Sequence, residues 1–174
     1  MNWRISAGTA EQMQRRFTRA MLRLLVDFLV ARPVTLMSAL PATTSQPIYV
    51  VTLAVIRHQQ LLCVRKRGTT RFMLPGGKPE SGETAVACVS REVQEELGCL
   101  VLTDTLHYVG EFASAAANES GRLVQAQVYN GEIVGDIQLA AEIEEYRWLP
   151  LNGPWPVPMA PLLQEQVLLA LQQV

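Results

Sequence analysis

The chain is poor in the residues that most often announce a function. Only two histidines, His58 and His107, occur in 174 residues. They read as a turn and a strand residue without a patterned partner, so neither is expected to take part in catalysis. The three cysteines, Cys63, Cys88 and Cys99, are odd in number and lack metal-ligand spacing. That excludes a disulfide framework and a zinc motif, and points to reduced packing residues in a cytoplasmic setting. A net charge of −1 gives no basis for binding nucleic acid through bulk charge. No apolar run reaches the ~18 residues of a spanning helix, because Arg23 and Asp27 interrupt the best candidate. The same interruption makes the run a poor signal peptide, and a membrane is not the expected partner. Internal repeats and low-complexity tracts are also missing. What is left, 49% hydrophobic and 18% charged, is the composition of one soluble globular domain with room for a sizeable core.

The small net charge hides an asymmetry. Residues 1–47 hold six arginines against Glu11 and Asp27, or +4, whereas residues 48–174 hold nine basic and fourteen acidic groups, or −5. In residues 11–31, Met13, Phe17, Met21, Leu24, Leu25 and Phe28 recur at helical spacing, and Arg15, Arg16, Arg19 and Arg23 line the other side. Pro33 stops the run. Three readings stand open: a helix docked on the domain or a partner, a membrane-surface helix, and an upstream extension of a chain whose natural start is Met37. Residues 1–47 are therefore read as an amphipathic helix and linker, and 48–174 as the domain proper.

Within that domain, Ile48–Ile56 reads as a buried strand, Leu61–Arg67 as its return, and Arg71–Leu74 as a short strand into a Gly76-Gly77 turn. A helix is predicted over Thr84–Leu97, capped by Thr84, ended by Gly98 and buried along Val86, Val89, Val93 and Leu97. Leu100–Ala115, Leu123–Ile133 and Glu142–Leu149 read as strands, and Leu162–Gln173 as a closing amphipathic helix. Strands interleaved with two helices indicate an α/β layer fold.

The stretch Gly77–Cys99 organises the rest. Glu92, Glu95 and Glu96 lie three and four apart on the helix and so are neighbours in space. Crowded carboxylates call for a compensating cation, and Mg²⁺ or Mn²⁺, which take oxygen ligands, suit them. The Gly-Gly turn ahead of them lets backbone approach a ligand closely. Arg65, Lys66, Arg67 and Lys78 could meet anionic oxygens. These parts suggest metal-dependent cleavage of a phosphoanhydride.

The same stretch resembles the Nudix box, G-x5-E-x7-R-E-U-x-E-E-x-G-U, where U is a bulky aliphatic residue. Gly77, Glu83, Arg91, Glu92, Val93, Glu95, Glu96 and Gly98 match, and Cys99 alone departs, as a small hydrophobe. Seven fixed residues at about 1 in 15 each coincide by chance roughly once in 10⁸ windows, which excludes accident. The resemblance implies an α/β/α sandwich with a mixed sheet over 48–174, and a hydrolase of acid anhydrides. It implies metal ligation by Glu92, Glu95, Glu96 and the Gly76 carbonyl, with Glu92 also as base. Glu83 and Arg91 match the ion pair that braces loop against helix. Glu142 matches a further metal carboxylate, Arg65 a phosphate-contacting strand arginine, Lys78 a phosphate contact, and Trp155 the wall of a base pocket.

The family cleaves nucleoside diphosphates linked to many groups, and specificity lies mostly outside the box. The proline that ADP-ribose enzymes carry some fifteen residues beyond it is absent, as are the NADH, coenzyme A and dinucleoside polyphosphate marks. VRK on the second strand and LPGGK at the turn resemble the MutT-type enzymes, which implies a nucleoside-triphosphate pyrophosphohydrolase releasing monophosphate and pyrophosphate. Val157, Pro158 and Met159 cannot hydrogen-bond a base edge, which argues against oxidised guanine. The alternatives are an ADP-ribose or nucleotide-sugar pyrophosphatase and a non-catalytic nucleotide-sensing domain. The expected partner is a small nucleotide, with the chain a monomer or homodimer.

Overall fold

The computed structural model describes residues 46–173. The amphipathic segment at 11–31 and nearly all of the linker at 38–47 lie outside the described residues. The elements are β1 (Ile48–Ala54), β2 (Ile56–Arg57), β3 (Gln60–Lys66), β4 (Gly76–Gly77), α1 (Ala85–Leu97), β5 (Leu100–Ala115), β6 (Leu123–Val134) and β7 (Ile143–Pro150). A π-helical segment, Leu163–Val167, and α2 (Leu168–Leu171) close the chain.

Side-chain alternation decides how these elements stack. On β1 and the residue after it, Val51, Leu53 and Val55 enter one hydrophobic cluster and Ala54 another. β3 divides the same way, with Leu62 and Val64 on the first side and Leu61 and Cys63 on the second. Strands buried on both faces need a cover on each. Cys88, Val89, Val93 and Leu97 of α1 cover the first cluster; Leu162, Leu163, Val167, Leu168 and Leu171 cover the second. The result is the expected helix–sheet–helix sandwich.

The larger sheet is mixed, as expected, and the smaller one is antiparallel throughout. One has the order β4-β1-β6-β5 and the other β2-β3-β7. β1 pairs in parallel with β6 from Ile48↔Val124 to Ala54↔Asn130, and antiparallel with β4 at Val51↔Gly77 and Thr52↔Gly76. The glycine turn is thus tied to a central strand. β3 and β7 are antiparallel with a register shift at Arg65/Lys66, where Arg65 faces Glu145 and Lys66 faces Ile143.

Three local expectations need correction. Arg71–Leu74 is not a strand: Met73 bridges Val64, Phe72 bridges Met159, and the ladder forms instead at Gly76–Gly77. Val86 is 38% exposed, and Cys88 takes its place in the buried stripe. The closing helix is not uniformly α-helical, since its first part widens into a π turn that brings both Leu163 and Val167 inward.

Candidate active site

The site is built on the two ends of α1 and the glycine turn beside it. Thr84 Oγ1 accepts from the Ala87 amide at 3.2 Å, a cap of the kind that contributes about 1 kcal/mol. Gly98 ends the helix at φ 66°, a left-handed position that glycine takes without a Cβ penalty. Between these stops the helix cannot slide, so its side chains are fixed against β1 and β4.

Glu96 is the chief surprise. A glutamate on a helix ordinarily faces solvent, yet this one is 1% exposed. Its position explains this: it lies three residues after Val93 and seven after Val89, on the same face. Its Oε2 accepts from the Gly76 amide at 2.9 Å, while Oε1 is buried with no hydrogen-bond partner. Burial raises its pKa to about 7, against the lowering pull of the Gly76 amide and Lys66. An oxygen in that condition suits a cation.

Glu92 and Glu95 are held by Arg91, whose Nη1 lies 3.0 and 3.2 Å from their carboxylates. The same guanidinium reaches back to Glu83 through Nε and Nη2, at 2.9 and 3.0 Å, and to the Lys78 carbonyl at 3.2 Å. Glu83 Oε2 also accepts from the Glu80 amide at 2.9 Å. The hydrogen bonds from Arg91, with that amide, lower the Glu83 pKa to about 2. Arg91 therefore braces loop and helix and also neutralises part of the acidic cluster.

The glycines let these groups close up. A Cβ on Gly77 would fall 2.3 Å from Glu92 Oε1, and one on Gly76 would fall 2.2 Å from the Val51 carbonyl oxygen. Gly76 also sits at φ 135°, where other residues are strained.

Two of the expected substrate contacts are elsewhere. Arg65 turns away from the site: it donates to Glu144, to Glu145 and to the Thr69 carbonyl. The register shift puts Glu144 and Glu145 within reach of one arginine, where strict alternation would put them on opposite faces. Lys66, the next residue, enters the site instead, with Nζ 2.5 Å from Glu142 Oε1. That ammonium holds the Glu142 carboxyl below its usual range. Trp155 plugs the loop rather than lining a pocket: Nε1 donates to the Pro150 carbonyl at 2.8 Å and the ring packs on the second cluster.

Beside these groups lies a cavity of about 460 Å³. Its rim carries Lys66, Gly76, Gly77, Lys78, Glu92 and Glu142. Its walls are aliphatic, with Ile48 and Val50 of β1, Val124 of β6 and Leu162 among them. Thr52 Oγ1, also on this wall, is buried without a hydrogen-bond partner. Nothing in the sequence singled out Thr52, although its spacing from Ile48 and Val50 puts all three on one face. Glu95 and Glu96 do not line the cavity, and among the described residues no three His, Cys, Asp or Glu side chains converge as a ready metal cage. In their place Arg91 and Lys66 occupy the carboxylates.

A family model described as the NUDIX domain matches residues 47–169. Among solved structures, the chain is similar to a MutT NUDIX hydrolase from Burkholderia pseudomallei, at 24% identity and a TM-score of 0.59, over 75% of this chain and 99% of that one. It is similar to the E. coli ORF135 protein at 24% identity and a TM-score of 0.59, over 76% and 94% of the two chains. A NUDIX hydrolase from Nitrosomonas europaea matches at 26% identity and a TM-score of 0.52, over 62% of this chain and 74% of that one. No curated protein matches.

Proposed function

Since this chain belongs to the NUDIX domain family of hydrolases, we propose that it is a Mg²⁺-dependent pyrophosphohydrolase of nucleoside triphosphates, releasing a monophosphate and pyrophosphate. The observation that carries this reading is the division of the cavity: lysines and carboxylates at the rim, aliphatic walls behind. A ligand fitting both halves has an anionic polyphosphate and a flat, mostly apolar body, which describes a nucleotide. Mn²⁺ is an alternative ion on the same ligand chemistry.

The carboxylates fit a hard cation, because Glu96 Oε1 is buried without a hydrogen-bond partner. Glu96, Glu92 and Glu142 would hold it, with Glu95 and the Gly76 carbonyl as further oxygens. When bound, such an ion polarises phosphoryl oxygens and offsets charge on the leaving group. Lys66 and Lys78 bind the phosphates. Thr52 Oγ1 offers one hydrogen-bonding point to base or sugar. Glu92 accepts the proton of the attacking water as oxygen bonds to phosphorus. The anhydride P–O bond then breaks, and its electron pair leaves with pyrophosphate. Arg91 and Glu83 keep Glu92 aimed.

The test is a panel of triphosphates, ADP-ribose, nucleotide sugars, dinucleotides and coenzyme A, with and without Mg²⁺, and product identification. Mg²⁺-dependent monophosphate and pyrophosphate from a triphosphate support the reading. Selective turnover of ADP-ribose or a nucleotide sugar would replace it with that substrate, and binding without turnover would make the chain a sensor.

A further inference from the structure

Lys66 holds an unusual position for a substrate-binding lysine. Its Nζ lies 2.5 Å from Glu142 Oε1 and 3.9 Å from Glu96 Oε1. The second distance is too long for a hydrogen bond and lies at the outer limit of ion-pair range. One ammonium therefore serves two carboxylates from separate elements, α1 and the chain just before β7. No other lysine or arginine among the described residues forms an ion pair with either of them.

The arrangement is built by β3. Alternation along β3 points the two consecutive basic residues to opposite faces, and the extra residue on β7, Glu144, leaves both Glu144 and Glu145 to Arg65. Arg65 is consumed by Glu144 and Glu145, and Lys66 is left to enter the cavity rim. Its side chain is 30% exposed, on a flexible four-carbon stem that can move without disturbing the strand.

We propose that Lys66 is the resident cation of the Glu96–Glu142 pair, that a divalent ion and this ammonium occupy the pair alternately, and that the displaced ammonium then turns to the substrate's phosphates. This rests on the metal-dependent reading given above. The physical reason is charge exclusion. A divalent ion between those carboxylates would stand within a few ångströms of Nζ, where like charges repel even in a partly solvated site. Lys78, Gly77 and the rest of the rim give the released ammonium a phosphate-lined place to go once substrate is bound. Metal and nucleotide then reinforce each other, and by linkage each raises the other's affinity by the same factor. The lysine keeps the buried Glu96 and the exposed Glu142 carboxylates compensated between turnovers, and it weakens metal binding until substrate arrives.

The experiment titrates Mn²⁺ into the full chain without nucleotide, by calorimetry and by the electron paramagnetic resonance of free Mn²⁺. It compares wild type, Lys66→Met, Lys66→Arg and Glu96→Gln, each checked for folding by circular dichroism. Lys66→Met is expected to bind Mn²⁺ at least about threefold more tightly, because its competitor is gone. Lys66→Arg, which keeps the charge, is expected to show no tightening. In nucleotide turnover, Lys66→Met is expected to raise KM by about tenfold or more. A merely structural lysine would loosen Mn²⁺ when removed, so unchanged or weaker binding in Lys66→Met overturns the proposal while leaving the metal site intact. Wild-type Mn²⁺ binding that survives Glu96→Gln would instead overturn the metal reading beneath it.

Discussion

Arg91 grips both carboxylate oxygens of Glu83 across eight residues of sequence, with Nε 2.9 Å from Oε1 and Nη2 3.0 Å from Oε2. A two-pronged guanidinium–carboxylate pair fixes direction as well as distance. Its third nitrogen goes to Glu92 and Glu95. One side chain thus locks the loop before α1 and aims two of the glutamates on it.

Breaking that lock should misalign the site without removing its carboxylates. Glu83→Gln and Arg91→Lys are expected to lower kcat/KM on the order of 10–100-fold while leaving the far-ultraviolet circular dichroism unchanged, as for partners that orient metal ligands. Arg91→Lys keeps the charge but loses the fork, so near wild-type activity in it would show that charge alone suffices.

Glu96→Gln separates stability from activity. Mg²⁺-dependent turnover is expected to fall by roughly 100-fold or more, on the order of losing one strong electrostatic contact. Without metal at pH 8 the thermal midpoint is expected to be no lower than wild type, because a buried charge is removed. Millimolar Mg²⁺ should raise the wild-type midpoint and leave the variant's unchanged.

Two glutamates should pull stability in opposite directions as pH changes. Glu96 rises from 4.5 to about 7 on folding, so the folded chain holds its proton more tightly than the unfolded chain does. Its contribution to metal-free stability is full below pH 4.5 and is lost as pH climbs to about 7. Glu83 drops from 4.5 to about 2, so its contribution is full above pH 4.5 and is lost as pH falls to about 2. Thermal midpoints in chelator from about pH 3 to 9 should decline between the Glu96 limits, and Glu96→Gln should flatten that decline. Because a metal must displace the Glu96 proton, Mn²⁺ affinity should rise with pH through the same window.

The two adjacent glycines should fail differently. Gly77→Ala sets a methyl against the movable Glu92 carboxylate, at 2.3 Å, so the fold survives and turnover falls by about 100-fold. Gly76→Ala meets the Val51 backbone at 2.2 Å, at a φ of 135°, so the β1–β4 pairing itself is lost and the thermal midpoint drops. Steady-state kinetics and thermal melts on the pair distinguish the two effects.

The basic residues of β3 should also separate. Arg65→Ala is expected to keep KM within about threefold of wild type, since its partners are Glu144 and Glu145 on the surface. Trp155→Ala should lower the thermal midpoint, because the ring fills the second cluster, without changing which nucleotide is preferred. A changed nucleotide preference in Trp155→Ala would return that residue to the binding pocket.

The sequence foretold most of this fold, because its signals were local. Thr84 and Gly98 bound α1 as their chemistry dictates, and the alternating apolar residues of β1 and β3 required a cover on both faces. The ion pair of Glu83 and Arg91 followed from the resemblance. What was not legible depended on register. A single extra residue on β7 opposite Arg65 and Lys66 let one arginine take both Glu144 and Glu145, and no local pattern encodes that shift. The burial of Glu96 was present in the spacing from Val89 and Val93, but its charge made an outward position the natural expectation. The role of Trp155 turned on a carbonyl five residues earlier, at Pro150, that only the folded loop brings to its indole.

The Glu96 side chain emerges from the same strip of helix that packs Val89, Val93 and Leu97 into the interior. Anyone seeking a hardier version of this protein should therefore look far from that strip. Enlarging a valine there would tilt the carboxylate by the same motion that fills a gap, and heat tolerance would be gained at the expense of turnover. The second cluster carries no such strip, but Leu162 and Leu163 also wall the cavity, so the better ground for that search is its far side, around Leu61, Cys63, Val167, Leu168 and Leu171.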